Sequence, residues 1–231
     1  DPTSRAAAAF FHLYDMEVGW YRDVADHCKA LCPGSYHADI AENEQEFVLL
    51  LEDMAPASQG DQLAGASLNQ VRTTLAEAAA LHHGDSNSEL LENSLSAGYP
   101  VFRERFSSLL SPDILDLGQQ LVDRISAYIA FQPDQPAITH GDMRLDNILF
   151  HDDGHIAALV DWQTCSLGNP AHDVAYLIGT SFADPAARRE HEEQLVREYL
   201  DRRTNAPDFA AFWVEYRRYA FSGFIMAINA S

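Results

Sequence analysis

Between residues 137 and 163 the chain places two carboxylates, an amide and a histidine where two short apolar strands would deliver them. The strand Ala137-Ile138-Thr139 runs into His140-Gly141-Asp142-Met143-Arg144-Leu145-Asp146-Asn147. A second, Ile156 to Val160, ends at Asp161-Trp162-Gln163. The hairpin between them turns at Asp152-Asp153-Gly154 and is short, so Asp142, Asn147 and Asp161 should converge at one edge. Two carboxylates and an amide oxygen are hard donors. They suit Mg²⁺ over Zn²⁺, and Mg²⁺ keeps several waters and takes few protein ligands, usually beside phosphates. A carboxylate left next to such a metal can take a proton from an alcohol. Any one of these aspartates alone is ordinary turn or strand-end chemistry; the set at this spacing is not.

The elements that must hold this edge are mostly helical. Residues 5–31 read as a long amphipathic helix, entered through Pro2-Thr3-Ser4 and stopped at Pro33-Gly34. Strand-like stretches follow at about 35–40 and 46–51, and the uninterrupted apolar run Phe47-Val48-Leu49-Leu50-Leu51 has the character of a buried strand. Residues 56–65 read as loop. Leu68, Val71, Leu75, Ala78, Ala79 and His82 then share one helical face, where His82 is expected to be a hydrogen-bonded core histidine. A less regular helical stretch covers 88–131, and the Asn169-Pro170 pair opens a region that is helical to the end.

Composition narrows the classes. At 231 residues and 47% hydrophobic content, the chain can bury the core of one large domain or a domain and a half. Its 35 acidic against 15 basic residues give a net charge of −20, which repels phosphate backbones and argues against a nucleic-acid partner. There is no apolar run of about 18 residues and no charged, apolar and small-residue leader pattern. The chain reads as soluble, cytoplasmic and without a membrane partner. Cys28, Cys32 and Cys165 are scattered and odd in number, as buried thiols of a reducing compartment would be.

The segment H-G-D-x-x-x-x-N, followed by a strand and D-W, resembles the catalytic and metal-binding loops of the aminoglycoside phosphotransferase and choline kinase-like superfamily, relatives of protein kinases. The flanking Arg144-Leu145-Asp146-Asn147-Ile148-Leu149-Phe150 and Val160-Asp161-Trp162-Gln163-Thr164 resemble the branch found with acyl-CoA dehydrogenases. The resemblance runs from about residue 5 to 230. It implies an α+β, protein-kinase-like fold, with a partial N-terminal nucleotide-binding lobe over 1–54 and a mostly helical catalytic and acceptor-binding lobe over 55–231. It also implies transfer of the γ-phosphate of ATP, with Mg²⁺, to a hydroxyl of a small molecule. Asp142 would then be the catalytic base, His140 would orient the loop, and Asn147 and Asp161 would hold Mg²⁺. Glu17, on the apolar stripe of the first helix, would be the glutamate that pairs with a nucleotide-gripping lysine. The Glu52 carbonyl and Met54 N–H would contact adenine at the hinge, and Asp173 would brace the catalytic loop.

The pattern departs from that family at its start. No Gly-rich loop and no lysine precede the first helix, and the only lysine, Lys29, follows Glu17 by twelve residues, more than three turns away. A trimmed nucleotide lobe is expected rather than a natural pseudo-enzyme. Residues 34–51 should then form two antiparallel strands, and Glu17 should face the cleft near Asp161, solvated and without a basic partner. Two other readings compete. One is a kinase-like binding module without catalysis. The other is a metal-dependent phosphohydrolase built on His140, Asp142, Asp161 and the His172-Asp173 pair, although such enzymes carry their ligands on helices. The aromatic tail, Phe209, Phe212, Trp213, Tyr216, Tyr219, Phe221 and Phe224, reads as helix packing; any part lining an acceptor cleft would imply a bulky, partly apolar acceptor.

Overall fold

The computed structural model describes residues 12–43, 46–82, 99–100, 102–129 and 136–229. Helix α1 (Leu13–Gly19) continues into a π-helical turn over Trp20–Val24 and a 3₁₀ turn over Ala25–His27. The expected helix of residues 5–31 is thus less regular and ends earlier, and its first residues lie outside the described ones. The wider π turn inserts an extra residue into the ladder, and the neighbours Trp20 and Tyr21 are both buried. The chain leaves the helix at Cys28 because its next groups are used elsewhere. The Leu31 N–H donates to the Glu77 carboxylate, and the Leu31 carbonyl accepts the Leu159 N–H at 2.8 Å.

Strands β1 (Ser35–Ile40) and β2 (Phe47–Leu51) form an antiparallel pair, with Ser35 opposite Leu51 and Ile40 opposite Phe47. Tyr14 of α1 stacks on Phe47 at 4.6 Å between ring centroids. The apolar run of β2 is covered on one face only: Val48 is 49% and Leu50 57% exposed, so this strand is not the fully buried one its composition suggests. β3 (Ser58–Gln59) falls inside the segment read as loop.

Helix α2 (Leu68–Leu81) opens with a reciprocal capping box between Ser67 and Gln70. Helices α3 (Pro112–Asp123) and α4 (Ile125–Ile129) precede β4 (Ala137–Thr139), β5 (Ile148–Phe150), β6 (Ile156–Leu159) and β7 (Ser166–Gly168). A three-stranded sheet runs β3-β5-β6, and β4 pairs separately with β7, all antiparallel. Helices α5 (Pro170–Ser181), α6 (Pro185–Arg202), α7 (Phe209–Tyr219) and α8 (Ser222–Asn229) complete the chain. Asn169 caps α5 through the Ala171 N–H, as the Asn-Pro pair predicts.

The main core gathers Val71 and Leu75 of α2, Ile148 and Leu159 of the sheet, Val174 and Leu177 of α5, and Leu195 and Tyr199 of α6. α5 is buried nearly all round, with Ala171, Asp173, Val174 and Ala175 through Ile178 inside. That burial makes it a fixed post against which the loop after β4 is set. Among the described residues no helix is long and apolar enough to cross a membrane.

Candidate active site

β4 carries the chain to His140, and Gly141 then takes a left-handed conformation at φ 83°. A Cβ on Gly141 would lie 2.3 Å from the Thr164 carbonyl oxygen, so glycine is required by both conformation and space. Gly141→Ala is expected to lower stability by about 2 kcal/mol or more, since neither the φ value nor the backbone contact can be relieved cheaply. Urea unfolding checks this.

The loop is hung on Asp173 of α5. Its Oδ2 accepts the His140 N–H at 2.7 Å and its Oδ1 the Gly141 N–H at 3.0 Å. His82, at the end of α2, places Nε2 3.2 Å from Asp173 Oδ2 and Nδ1 2.6 Å from the Tyr199 hydroxyl. Burial by itself would raise the Asp173 carboxyl, but hydrogen bonds from His172 and His82 hold it far below the usual carboxylate range. His82 is the bonded core histidine its helical face predicts.

His140 is fixed at both ring nitrogens. Nε2 lies 3.0 Å from the Val160 carbonyl, and Nδ1 accepts the Asp142 N–H at 3.3 Å. The ring therefore ties the end of β6 to the loop after β4. Asn147 donates through Nδ2 to both the carbonyl and Oδ2 of Asp142, each at 2.9 Å, which leaves its own side-chain oxygen for another partner. Asp142 Oδ1 is buried and makes no hydrogen bond of standard geometry among the described residues. Arg144 leans over this carboxylate, Nε 3.4 Å from Asp142 Oδ2 and Nη1 3.4 Å from Asp146 Oδ2. The Tyr176 phenol stands beside Asp142 as well; burial first, then that carboxylate, pushes its ionisation up.

Asp161 is a non-glycine residue at φ 67°, a conformation that costs energy and is kept where surroundings impose it. The next residue supplies the constraint. Trp162 is fully buried, stacks on Trp20 of the π turn at 3.6 Å and 7°, and lies 4.7 Å from the His140 ring. Burial and the nearby Asp142 both raise the Asp161 carboxyl.

Glu17 of α1 reaches the same place. Burial and then Asp161 raise it to about 7, while the Trp162 N–H pulls it partly back. No arginine or lysine pairs with it among the described residues, but it is half-buried rather than solvated, which corrects the expectation for this side chain. It relieves the cost by favouring its protonated form. The sign follows directly. A raised carboxyl costs no stability below the unfolded value near 4.5, costs progressively more up to about pH 7, and costs a constant amount above. Glu17→Gln should therefore raise Tm at pH 8 and leave it unchanged at pH 4, in melts without nucleotide or metal.

Glu17, Asp142, Asp161 and Asn147 are thus brought to one place; the hinge candidates are not bonded into it. Glu52 is exposed and its carboxylate accepts the Gly34 N–H at 3.2 Å. The Met54 carbonyl accepts the Ala57 N–H at 2.9 Å. Clustered carboxylates, in which Asp142 raises Asp161 and Asp161 raises Glu17, beside a spare amide oxygen, are a donor set fitted to a hard cation. Among the described residues no three His, Cys, Asp or Glu side chains are arranged to hold a metal by themselves, so such an ion would need oxygens from a ligand. His172 leans on Asp173 and Tyr219, and His140 is spent on Val160. Cys28, Cys32 and Cys165 are free thiols.

Several supporting residues left little trace in the sequence. Gln62 accepts the Leu145 N–H at 2.9 Å and donates to the Thr180 carbonyl, and Gln59 donates to the Asp146 carbonyl, buttressing the loop from the far side. Tyr176 lies within a run of buried residues. Arg144 sits inside the motif itself, and its position as a cation between two aspartates was the available signal.

A model described as the phosphotransferase enzyme family matches residues 6–213. Among curated proteins the chain is similar to acyl-CoA dehydrogenase family member 11 of Homo sapiens, 29% identical over 110 residues, which cover 45% of this chain and 14% of that protein. The Gallus gallus counterpart is 43% identical over 44 residues, or 19% of this chain and 6% of that one. The matched stretches are thus a small part of those relatives. Among solved structures, aminoglycoside phosphotransferase APH(3'')-Id of Streptomyces rimosus superposes with a TM-score of 0.62 at 16% identity, covering 98% of this chain and 83% of that one. Macrolide 2'-phosphotransferase MphH of Brachybacterium faecium superposes with a TM-score of 0.52 at 19% identity, covering 96% and 75%. The fold is the protein-kinase-like fold of these enzymes, and with nine-tenths of its length matched the chain belongs to the phosphotransferase enzyme family.

Proposed function

We propose that the protein transfers the γ-phosphate of ATP, with Mg²⁺, to a hydroxyl of a small molecule, with Asp142 as the general base. The observation that carries this reading is the state of the Asp142 carboxylate. One oxygen is held by Asn147, and the other is buried beside Asp161 and the Tyr176 phenol, with no hydrogen bond of standard geometry among the described residues. A buried acceptor without a donor is costly, and an acceptor hydroxyl would satisfy it and lose its proton to it. On this reading Asn147 and Asp161 hold Mg²⁺, which when bound neutralises charge on the nucleotide phosphates. Residues up to about 54 form part of the nucleotide-binding lobe, with Glu52 and Met54 at the hinge, and His140 sets the loop. Related structures were solved with ADP and streptomycin, and with GDP, which supports a nucleotide and a hydroxylated acceptor as the two substrates.

Arg144 is added to the set. In the free site its guanidinium rests on Asp142 and Asp146; moved to the phosphoryl oxygens it would stabilise their charge and release Asp142 to act as a base. Arg144→Met should lower kcat on the order of 10²-fold with little change in nucleotide affinity. The direct test is a transfer screen of the full-length protein against hydroxylated metabolites, reading ADP. Acceptor-dependent ADP release that requires Mg²⁺ is expected. ADP release that is equal with and without every acceptor, and indifferent to Mg²⁺, would refute the proposal.

A further inference from the structure

Four side chains form one polar line through the core, from the end of α6 to the loop that carries Asp142. Asp173 of α5 stands at the inner end, its Oδ2 and Oδ1 taking the His140 and Gly141 N–H groups at 2.7 and 3.0 Å. His82, at the end of α2, comes next. Its Nε2 lies 3.2 Å from Asp173 Oδ2, and its Nδ1 lies 2.6 Å from the Tyr199 hydroxyl of α6. Arg203, the residue after α6, hydrogen-bonds the Tyr199 phenol in turn. Asp173, His82 and Tyr199 are all buried, in a region where the packing of α2, α5 and α6 is otherwise apolar.

The members differ in what they can do. A guanidinium only donates and a carboxylate only accepts, whereas a phenol and an imidazole do both. Taken in the order Arg203, Tyr199, His82, Asp173, every donor therefore meets an acceptor. Burial raises the Tyr199 phenol and Arg203 only partly offsets it, so the phenol keeps a proton to offer Nδ1. Hydrogen bonds in such an interior polarise one another, and losing one member is felt by the next. Buried polar groups add little to stability over well-packed apolar ones, and their better use is to specify one arrangement. Here the arrangement specified is the plane of the Asp173 carboxylate. Its two oxygens meet two successive amides, and His82 fixes it from the side through the oxygen it shares with the His140 N–H. Asp142 is one step further on, its N–H donating to His140 Nδ1 at 3.3 Å.

We propose that His82, Tyr199 and Arg203 are positioning residues for Asp142: their line sets the Asp173 carboxylate and, through the His140 and Gly141 amides, the place of the base. They act at a distance, from helices outside the loop itself. The mechanical part of this inference stands on the hydrogen bonds alone. The kinetic part rests on the reading of Asp142 as the base in phosphoryl transfer.

Amide hydrogen exchange of the full-length protein, read residue by residue, separates this from a role in overall stability. Tyr199→Phe keeps the ring and deletes the hydroxyl; Arg203→Met keeps the stem and deletes the charge. Each should speed exchange of the His140 and Gly141 amides by about fivefold or more, as loss of one hydrogen bond in the line implies. The amides of Leu177 and Ile178, buried in α5, are the reference and should change less. In Mg·ATP-dependent transfer, Tyr199→Phe should lower kcat about tenfold and leave both KM values within about twofold, since a displaced base slows chemistry without removing a binding contact. Unchanged exchange at His140 and Gly141 in either variant would overturn the proposal. So would equal acceleration at Leu177 and Ile178, or a raised KM at unchanged kcat. A protein that transfers no phosphate refutes the proposed reaction instead, and the exchange rates still decide what this line of residues holds.

Discussion

Asp142→Asn is expected to lower acceptor-dependent turnover by about 10²–10⁴-fold while leaving the Tm and nucleotide affinity close to those of the unaltered protein. The substitution keeps the shape of a side chain that is 7% exposed and packed against Asn147. It removes the negative charge and the free lone pairs of Oδ1, the group proposed to take the acceptor's proton. Asp161 and the Asn147 side-chain oxygen, the candidate metal donors, are untouched, so binding and chemistry should separate. Turnover within about tenfold of wild type would remove Asp142 from the role of base. Loss of nucleotide binding in parallel would instead make it part of the binding site.

Asp173→Ala should have the largest effect on stability. The carboxylate has no exposure and is the acceptor for two loop N–H groups as well as the partner of His82. Its removal leaves the His140 and Gly141 amides and one imidazole nitrogen buried and unsatisfied. Breaking a buried network of this kind costs roughly 3–5 kcal/mol, equivalent to a fall in Tm of about 6–20 °C at this chain length. Asp173→Asn keeps one acceptor oxygen and should lose less. The sign of the pH effect is fixed as well. A carboxyl held below its usual value of 3.8 contributes stability above that value, and loses it as pH falls below. An alanine variant that melts like the wild type would mean the loop is held by other contacts, such as Thr164 on the His140 carbonyl at 3.0 Å.

The edge that carries the candidate site was legible because its information is local. His140 through Asn147 and Asp161 carry their spacing in the sequence, and two short apolar runs announce the strands that deliver them. Glu17 was legible as a carboxylate on an apolar stripe, yet its state was not, because solvation depends on Trp162 and Asp161 from elsewhere in the chain. β3 and β7 escaped notice for a different reason. Segments of two and three residues have no periodicity, and Ser58–Gln59 is polar because its work is to pair with β5 and reach Asp146. The π turn after α1 likewise has no residue signature; it follows from seating Trp20 flat on Trp162 while Tyr21 is also buried. Within the expected helical stretch of 88–131 the described residues are helical at 99–100, at 102–106 and over α3 and α4, while residues 83–98, 101 and 130–135 lie outside the described ones.

Phosphorus NMR of Mg·ATP incubated with the full-length protein and a pool of hydroxylated metabolites tests the central claim most directly, because it follows the γ-phosphorus itself. The reading developed for Asp142, Asn147 and Asp161 predicts a phosphomonoester signal that grows in step with ADP, disappears when Mg²⁺ is chelated, and is absent with Asp142→Asn. Inorganic phosphate as the only product, formed at equal rates by the wild type and by Asp142→Asn, would contradict it.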